Sequence, residues 1–577
     1  MLTPHAFHRA MADCRRAFFW AAGFSFAANL LLLTVPLYML QVYDRVLNSR
    51  SVATLVYLTV IALTALIALG LFEMARSRLL VRIGTFIDAR VAPIAFERML
   101  ANNIAGTPRR WDAVRDLREV RMFLTGTGIL ALFDLPWAPI FLAAIFLLHP
   151  LLGAFSLASL VVLIVLTLAN DRLAGPQLRR SSEISFAAAR ELEIFNRNAE
   201  TIDALGMMRV VGRRWLRKNN EAIRLQADAS DVGGVIVSVS KGFRLSVQVL
   251  ILGIGAWLVL QGEATGGTMV AGSILLARAL GPIDLALASW RGMVSARSAY
   301  NRLDECLSAP HVRPAGMKLP APKGQLAFEG VSFTAPSNGR IILSDISFEL
   351  PAGETLAVVG PSAAGKSTLA RLAVGISAPS GGHVRLDGAD LFPWNREQLG
   401  RHIGYVSQDV TLFSGTVAEN IARLEDSDPD AIIEAAQRAG VHEMILRLPQ
   451  GYDTDIGDFG MRLSGGQRQR VALARAIYGS PTFVVLDEPN ANLDSEGDGA
   501  LVRALAELRE LGTTVIFITH RPGLIGCADK LLLLRDGTAE MFGPRQEIVE
   551  FLKPNTIAPA AMRRFARPID RHRGGGA

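Results

Sequence analysis

The stretch Gly360-Pro361-Ser362-Ala363-Ala364-Gly365-Lys366-Ser367 decides how the second half of the chain is read. It fits the pattern G-x-x-x-x-G-K-[ST]. The apolar, β-branched run Thr355–Val359 precedes it and a helix-forming run follows, so a strand should enter the turn and a helix leave it. Bare glycine amides can approach an anion closely, and the dipole of the following helix favours negative charge. With Thr368, these residues form the candidate ATP site. Lys366 should meet the β and γ phosphates, and the Ser367 hydroxyl should ligate Mg²⁺.

Further on, the run Phe483–Leu486 reads as a second strand ending in Asp487 and Glu488. Asp487 suits Mg²⁺, directly or through water, and Glu488 is placed to accept a proton from an attacking water. A third run, Thr514–Ile518, leads to His520. Short apolar strands alternating with helices are the mark of an α/β unit with a parallel sheet.

The first half has a different character. Of 577 residues, half are hydrophobic and a fifth charged, and the mean hydropathy is +0.30. This excludes disorder for most of the chain and points to a membrane part. Apolar runs cover Ala17–Leu40, Val52–Met74, Gly128–Leu148, Leu151–Leu168, Leu245–Leu260 and Thr268–Leu287. Each is near the ~20 residues that cross a ~30 Å hydrocarbon core. The first is too long for a signal-peptide core and reads as a retained helix. Cys14, Cys306 and Cys527 are scattered singly, which excludes a disulfide scaffold and a cysteine metal site.

The net charge of +7 could indicate nucleic acid, but the arginines sit between apolar runs. One series runs from Arg76 to Arg121 and another from Arg172 to Arg224, whereas the short connections hold only Arg45 and Arg50. The positive-inside rule then places both termini, both long connections and the soluble half in the cytoplasm, with no nucleic-acid partner expected. The Ala, Glu, Arg and Leu content of those connections predicts helices that continue beyond the membrane. The expected organisation is a cytoplasmic segment at 1–16, a six-helix transmembrane domain at 17–308, a proline-punctuated linker at 309–324, a nucleotide-binding domain at 325–554 and a basic flexible tail at 555–577.

Between the phosphate loop and Asp487 lies Leu463-Ser464-Gly465-Gly466-Gln467. This resembles the signature motif of ABC ATPases, which in that family faces the γ-phosphate held by the opposite subunit. Further positions follow in the family's order. Gln408 resembles the Q-loop glutamine, a catalytic and metal-sensing position. Thr454–Asp458 resembles the X-loop of exporters, Asp494 the D-loop aspartate and His520 the switch histidine. Ala335 stands where the family usually stacks an aromatic on adenine. Either another group contacts the base or the resting site holds ATP weakly; Phe333 shares the same strand face, two residues away.

The resemblance implies an all-α exporter-type membrane domain followed by the P-loop nucleotide-binding domain. One phosphate loop and one signature per chain imply a homodimer. The tips near Pro108–Arg118 and Glu200–Arg209 are candidates for docking on the ATPase. Val35–Val52, Phe133–Gly153 and Asn198–Met208 resemble the exporters of type I secretion systems, most closely those that export RTX proteases and lipases. That family implies an unfolded protein cargo with a C-terminal signal, a periplasmic adaptor, an outer-membrane channel and the inner membrane of a Gram-negative bacterium. The short segment before the first span leaves no room for the N-terminal peptidase-like domain of some relatives. An ATP-driven lipid or drug exporter is the alternative, and a non-transporting ATP-binding switch a third reading. Asp134, Arg278 and Asp284 lie within or beside the spans. They either line a polar path or are carried out of the bilayer by long helices.

Overall fold

The computed structural model describes residues 6–104, 112–309, 313, 316–336, 338–426 and 428–552. The basic tail at 555–577 lies outside the described residues, as do 108–111 of the first docking tip. The chain divides into two compact units, the first ending near residue 310.

In the first unit, six helices among the described residues are long and apolar enough to cross a membrane. They are Arg15–Ser49, Val52–Ile104, Thr127–Leu148, Pro150–Arg197, Met208–Leu260 and Gly266–Ala288. All six apolar runs fall within them. The 53-residue helices Val52–Ile104 and Met208–Leu260 are each about 80 Å long, more than twice the hydrocarbon thickness. The arginine-rich connections are therefore helix and not loop. The second candidate tip, near Glu200–Arg209, is the short helix Ala199–Ala204 and the turn into Met208.

Proline accounts for the interruptions. The first span breaks at Leu32–Leu33, and Pro36 lies in the first turn of the next helix, Thr34–Gln41. The third is interrupted by a 3₁₀ turn, Leu135–Trp137, that contains Pro136, and Pro139 opens Ala138–Leu148. Pro has no N–H to donate but fits an opening turn without loss. Before the first span, Ala6–Asp13 is a helix. Its Phe7 is buried and meets the Tyr300 ring edge-on at 5.3 Å.

Two of the three ionisable residues singled out in the spans have partners. Asp134 Oδ1 accepts from Arg76 Nη1 at 2.6 Å, from Asn29 Nδ2 at 3.0 Å and from the Ser25 hydroxyl. Ser25, Asn29 and Arg76 are buried, so this cluster ties the first three spans together. Asp284 Oδ2 lies 3.1 Å from Arg244 Nε on the neighbouring helix. Arg278 is exposed.

The outer hairpin has its own cluster. A π-helical turn, Val42–Val46, carries Asp44. Its carboxylate accepts from the Gly267 N–H at 2.9 Å and the Thr265 hydroxyl at 2.6 Å. An anion at the positive end of Gly266–Ala288 is electrostatically favoured.

Among the described residues the soluble unit holds ten strands: β1 Leu326–Thr334, β2 Ile341–Leu350, β3 Thr355–Val359, β4 Gly381–Leu386, β5 Ala389–Asp390, β6 Ile403–Val406, β7 Phe483–Asp487, β8 Thr514–Ile518, β9 Lys530–Arg535 and β10 Thr538–Pro544. Six form one sheet in the order β10-β9-β3-β8-β7-β6. All neighbours in it are parallel except β10 on β9. Strands β7 and β8 are buried at every position, because helices cover both faces of such a sheet. The antiparallel sheet β2-β1-β4-β5 is an addition to the sequence expectation. Its strands alternate buried and exposed residues, so they offer no continuous apolar run. Stacked Phe328 and Phe348, with centroids 4.6 Å apart, lie at its centre. The stretch 316–324, read as linker, is joined to this unit: Met317 bridges Trp394, and the Leu319 N–H donates to Gln398 Oε1 at 3.2 Å.

Replacing Asp134 by Ala should strand the buried Arg76 guanidinium. Breaking a buried ion pair costs on the order of 3–5 kcal/mol. Thermal unfolding of the detergent-solubilised protein should shift down clearly for Asp134→Ala and much less for Asp134→Asn, which keeps a hydrogen-bond acceptor.

Candidate ATP site

Strand β3 delivers the chain to Gly360, whose φ is 153°. A Cβ there would lie 2.0 Å from the Leu534 carbonyl oxygen, so the loop can hug β9 only with glycine. Ala363 takes φ 65° without being glycine, a strain typical of functional loops. The helix Lys366–Ala373 follows. Lys366 Nζ is folded back on the loop and donates to the carbonyls of Gly360 at 3.0 Å and Pro361 at 2.8 Å. Burial pushes its pKa down, and the carboxylates of Glu488 and Asp487 pull the other way.

The loop forms one wall of a cleft of about 640 Å³. Ser362, Ala363, Gly365, Lys366, Ser367 and Thr368 line it, with Gln408 and Glu488 facing them. Pro361 is exposed beside it, and Ala364 is buried under the loop. The far end is built from Ala335, Asn338, Arg340 and Ile341. No aromatic residue lines the cleft among the described residues. Phe333 is packed against the core of the unit and does not replace the missing ring. The chain at Ala335 is folded back by Ala335 N–H to the Arg340 carbonyl at 2.8 Å and Gly339 N–H to the Ala335 carbonyl at 2.9 Å.

Asp487 ends β7 and is 2% exposed. Burial pushes its pKa up, while the hydroxyl of Ser367 and the charge of Lys366 oppose this. Its Oδ1 is buried without a hydrogen-bond partner. An orphaned carboxylate oxygen beside a serine hydroxyl is a donor set that fits a hard divalent cation.

Glu488 follows with φ 51°, a left-handed conformation uncommon outside glycine. Its Oε2 accepts from Gln408 Nε2 at 3.1 Å, and its Oε1 lies 3.5 Å from His520 Nε2. The three residues assigned catalytic roles from the sequence therefore meet at one carboxylate.

The signature segment opens the helix Gly465–Ile477 through a capping box. Ser464 Oγ accepts from the Gln467 N–H at 3.2 Å, and Gln467 Oε1 accepts from the Ser464 N–H at 2.8 Å. Leu463 is buried behind it. A Cβ on Gly466 would lie 2.9 Å from the Asn492 carbonyl oxygen, so that glycine admits the neighbouring backbone. Asp494 caps the helix Ser495–Glu510 by accepting from the Gly497 N–H at 2.8 Å. Neither Ser464–Gln467 nor Asp494 lines the cleft of its own chain.

One connecting residue escaped the sequence reading. Gln469 is 1% exposed. Its Nε2 donates to the Glu488 carbonyl at 3.3 Å, and its Oε1 accepts from Asn492 Nδ2 at 3.3 Å. It joins the signature helix to Glu488 and to the loop before Asp494. Its type and spacing look like those of any glutamine on a helix, so only the structure reveals it.

The model of the ABC transporter family matches residues 343–491. Over 95% of this chain and 95% of the relative, the sequence is 43% identical to the type I secretion system ATP-binding protein PrsD of Rhizobium meliloti (strain 1021). The chain belongs to the type I secretion ATP-binding proteins. The leukotoxin translocation ATP-binding protein LktB of Mannheimia haemolytica is 29% identical over 94% of this chain and 77% of its own length. In fold, this secretion ATPase resembles a bacterial Atm1-family ABC exporter solved with ATP bound. The TM-score is 0.81 at 22% identity, covering 94% of this chain and 97% of that one. It is accordingly an ABC-type transport ATPase with a multi-pass membrane unit.

Restoring a ring at the base end tests how that end binds. An aromatic stack contributes about 0.5–1.5 kcal/mol beyond area burial, so Ala335→Tyr should tighten ATP binding by about two- to twelvefold. Titration with a fluorescent ATP analogue would show it. An unchanged affinity would mean that the base lies elsewhere.

Proposed function

We propose that this protein is the ATP-driven exporter of a type I secretion system. Its cargo is an unfolded polypeptide with a C-terminal signal, of the RTX kind. The relatedness to PrsD carries this reading, because it covers the membrane unit as well as the ATPase. The protein then sits in a bacterial inner membrane with its ATPase and termini in the cytoplasm. A periplasmic adaptor and an outer-membrane channel are its partners.

Two copies complete each other's sites. The signature of each chain lies outside its own cleft, and a two-fold dimer would present it to the partner's phosphates. A serine-capped helix N-terminus with bare glycines is suited to that anion. The nucleotide-binding domain is taken as 325–554, with the site residues in the roles given above.

In the cleft, Lys366 exchanges its two loop carbonyls for phosphate oxygens. Ser367, Asp487 and Gln408 are the residues that would hold Mg²⁺, whose charge offsets that of the phosphates. Glu488 takes the proton of the attacking water. Gln408 holds one oxygen of its carboxylate, and the His520 imidazole lies beside the other. Pairing on both sides fixes the base in direction, which matters because proton transfer needs hydrogen-bond reach.

Glu488→Gln keeps the shape and removes the base. It should bind ATP and hydrolyse it at least about 10²-fold more slowly. In cells at equal expression, one or a few polypeptides should vanish from the medium. An unchanged medium under several growth conditions, with ATP turnover abolished, would favour export of lipid or small molecules.

A further inference from the structure

The helix Gly266–Ala288 is the most enclosed of the six spans: 56% of its apolar window is buried, against 28% or less for the others. It packs against Met208–Leu260, Pro150–Arg197, Ala138–Leu148 and Thr34–Gln41. A half-buried stripe runs along it at Val270, Ile274, Arg278, Gly281 and Leu285, spaced by three to four residues, and Arg278 alone on it is exposed. Arg278 is the only charged residue on that stripe. Its side chain makes no ion pair or hydrogen bond among the described residues, whereas Asp284 is taken by Arg244 and Asp134 by Arg76.

Position makes this arginine expensive if lipid covers it. It lies about 18 Å along the helix from Gly266, near the middle of the span. A central charge must face water or a partner, and snorkelling serves residues near helix ends. Direct packing by a second copy is a poor solution as well. In a two-fold interface the stripe would meet its own copy, and Val270, Ile274, Gly281 and Leu285 offer the guanidinium no acidic partner there. Water between the copies removes both difficulties.

We propose that Arg278 sets a fixed positive charge on the wall of a water-filled path, where it engages carboxylate side chains of the polypeptide in transit. This rests on the export reading and adds to it a preference for acidic cargo segments. A low-dielectric wall concentrates field at such a charge and raises the local concentration of anionic groups. The flanking Val270, Ile274, Gly281 and Leu285 offer no competing hydrogen bonds, so a passing chain is not held by them.

Thiol chemistry on the full-length protein in lipid nanodiscs tests this without knowing the cargo. Cys14, Cys306 and Cys527 are first replaced by Ala. The test variant then carries Ile274→Cys, one turn from an intact Arg278. Two control variants carry Val60→Cys, at a position exposed on another span, or Leu276→Cys, at a buried one. Each variant must retain the parent's ATPase activity. An uncharged, membrane-impermeant thiosulfonate should modify the Ile274→Cys variant much faster than either control. Unfolded polyglutamate should slow that reaction by about tenfold, the lower end of charge focusing, and polylysine should not. With Arg278→Gln added, the protection should disappear.

Modification of the Ile274→Cys variant as slow as that of the controls would overturn the water-filled path. Protection by polyglutamate that survives Arg278→Gln, or no protection at all, would overturn recognition by Arg278. Neither result touches protein export, which the composition of the medium reports separately.

Discussion

The backbone of Glu488 turns through φ 51° at the end of a strand that is buried at every position. Four segments meet at that turn. Gln408 and His520 approach the carboxylate, Gln469 holds the carbonyl, and the N–H donates to the Ile518 carbonyl at 3.2 Å. A strained residue persists only where its surroundings over-determine it. Here those surroundings are the Q-loop, the signature helix and strand β8, so a shift in any of them moves the base. In the proposed mechanism this is the route from the signature helix to the Glu488 carboxylate.

Much of this was legible in the sequence because phosphate chemistry demands rare combinations. Gly360 to Ser367 need bare amides at a helix start, and Asp487 with Glu488 need a buried strand behind them. Such patterns survive in one dimension. Gln469 did not, because its importance lies in two hydrogen bonds to residues 19 and 23 positions away. The antiparallel sheet was missed for a different reason: half-buried strands carry alternating residues that resemble loop composition. Ala335 stands out in the sequence as a departure, whereas the packing of Phe333 against the core is visible only in the structure.

The membrane unit divides its charges into two kinds. Asp134 and Asp44 are consumed by structure, one joining three spans through Arg76, Ser25 and Asn29, the other capping a span from the outer hairpin. The sequence flags Asp134 only as an ionisable group in apolar surroundings and does not single out Asp44. Their partners lie more than 50 residues away, beyond any local pattern. Arg278, flagged on the same grounds, is left open by the fold. The contrast separates charges that hold the helices together from one available to what passes between them.

The dependence of each cleft on a second chain is the claim on which the rest turns, and mixing two dead proteins addresses it most directly. Lys366→Ala removes the phosphate contact and leaves the signature. Ser464→Arg blocks the signature and leaves the phosphate loop. Each alone should lack ATPase activity. Co-assembled in one membrane, the mixed dimer contains one intact site, so hydrolysis should return. A mixture that forms dimers and remains inactive would contradict a site shared between two copies.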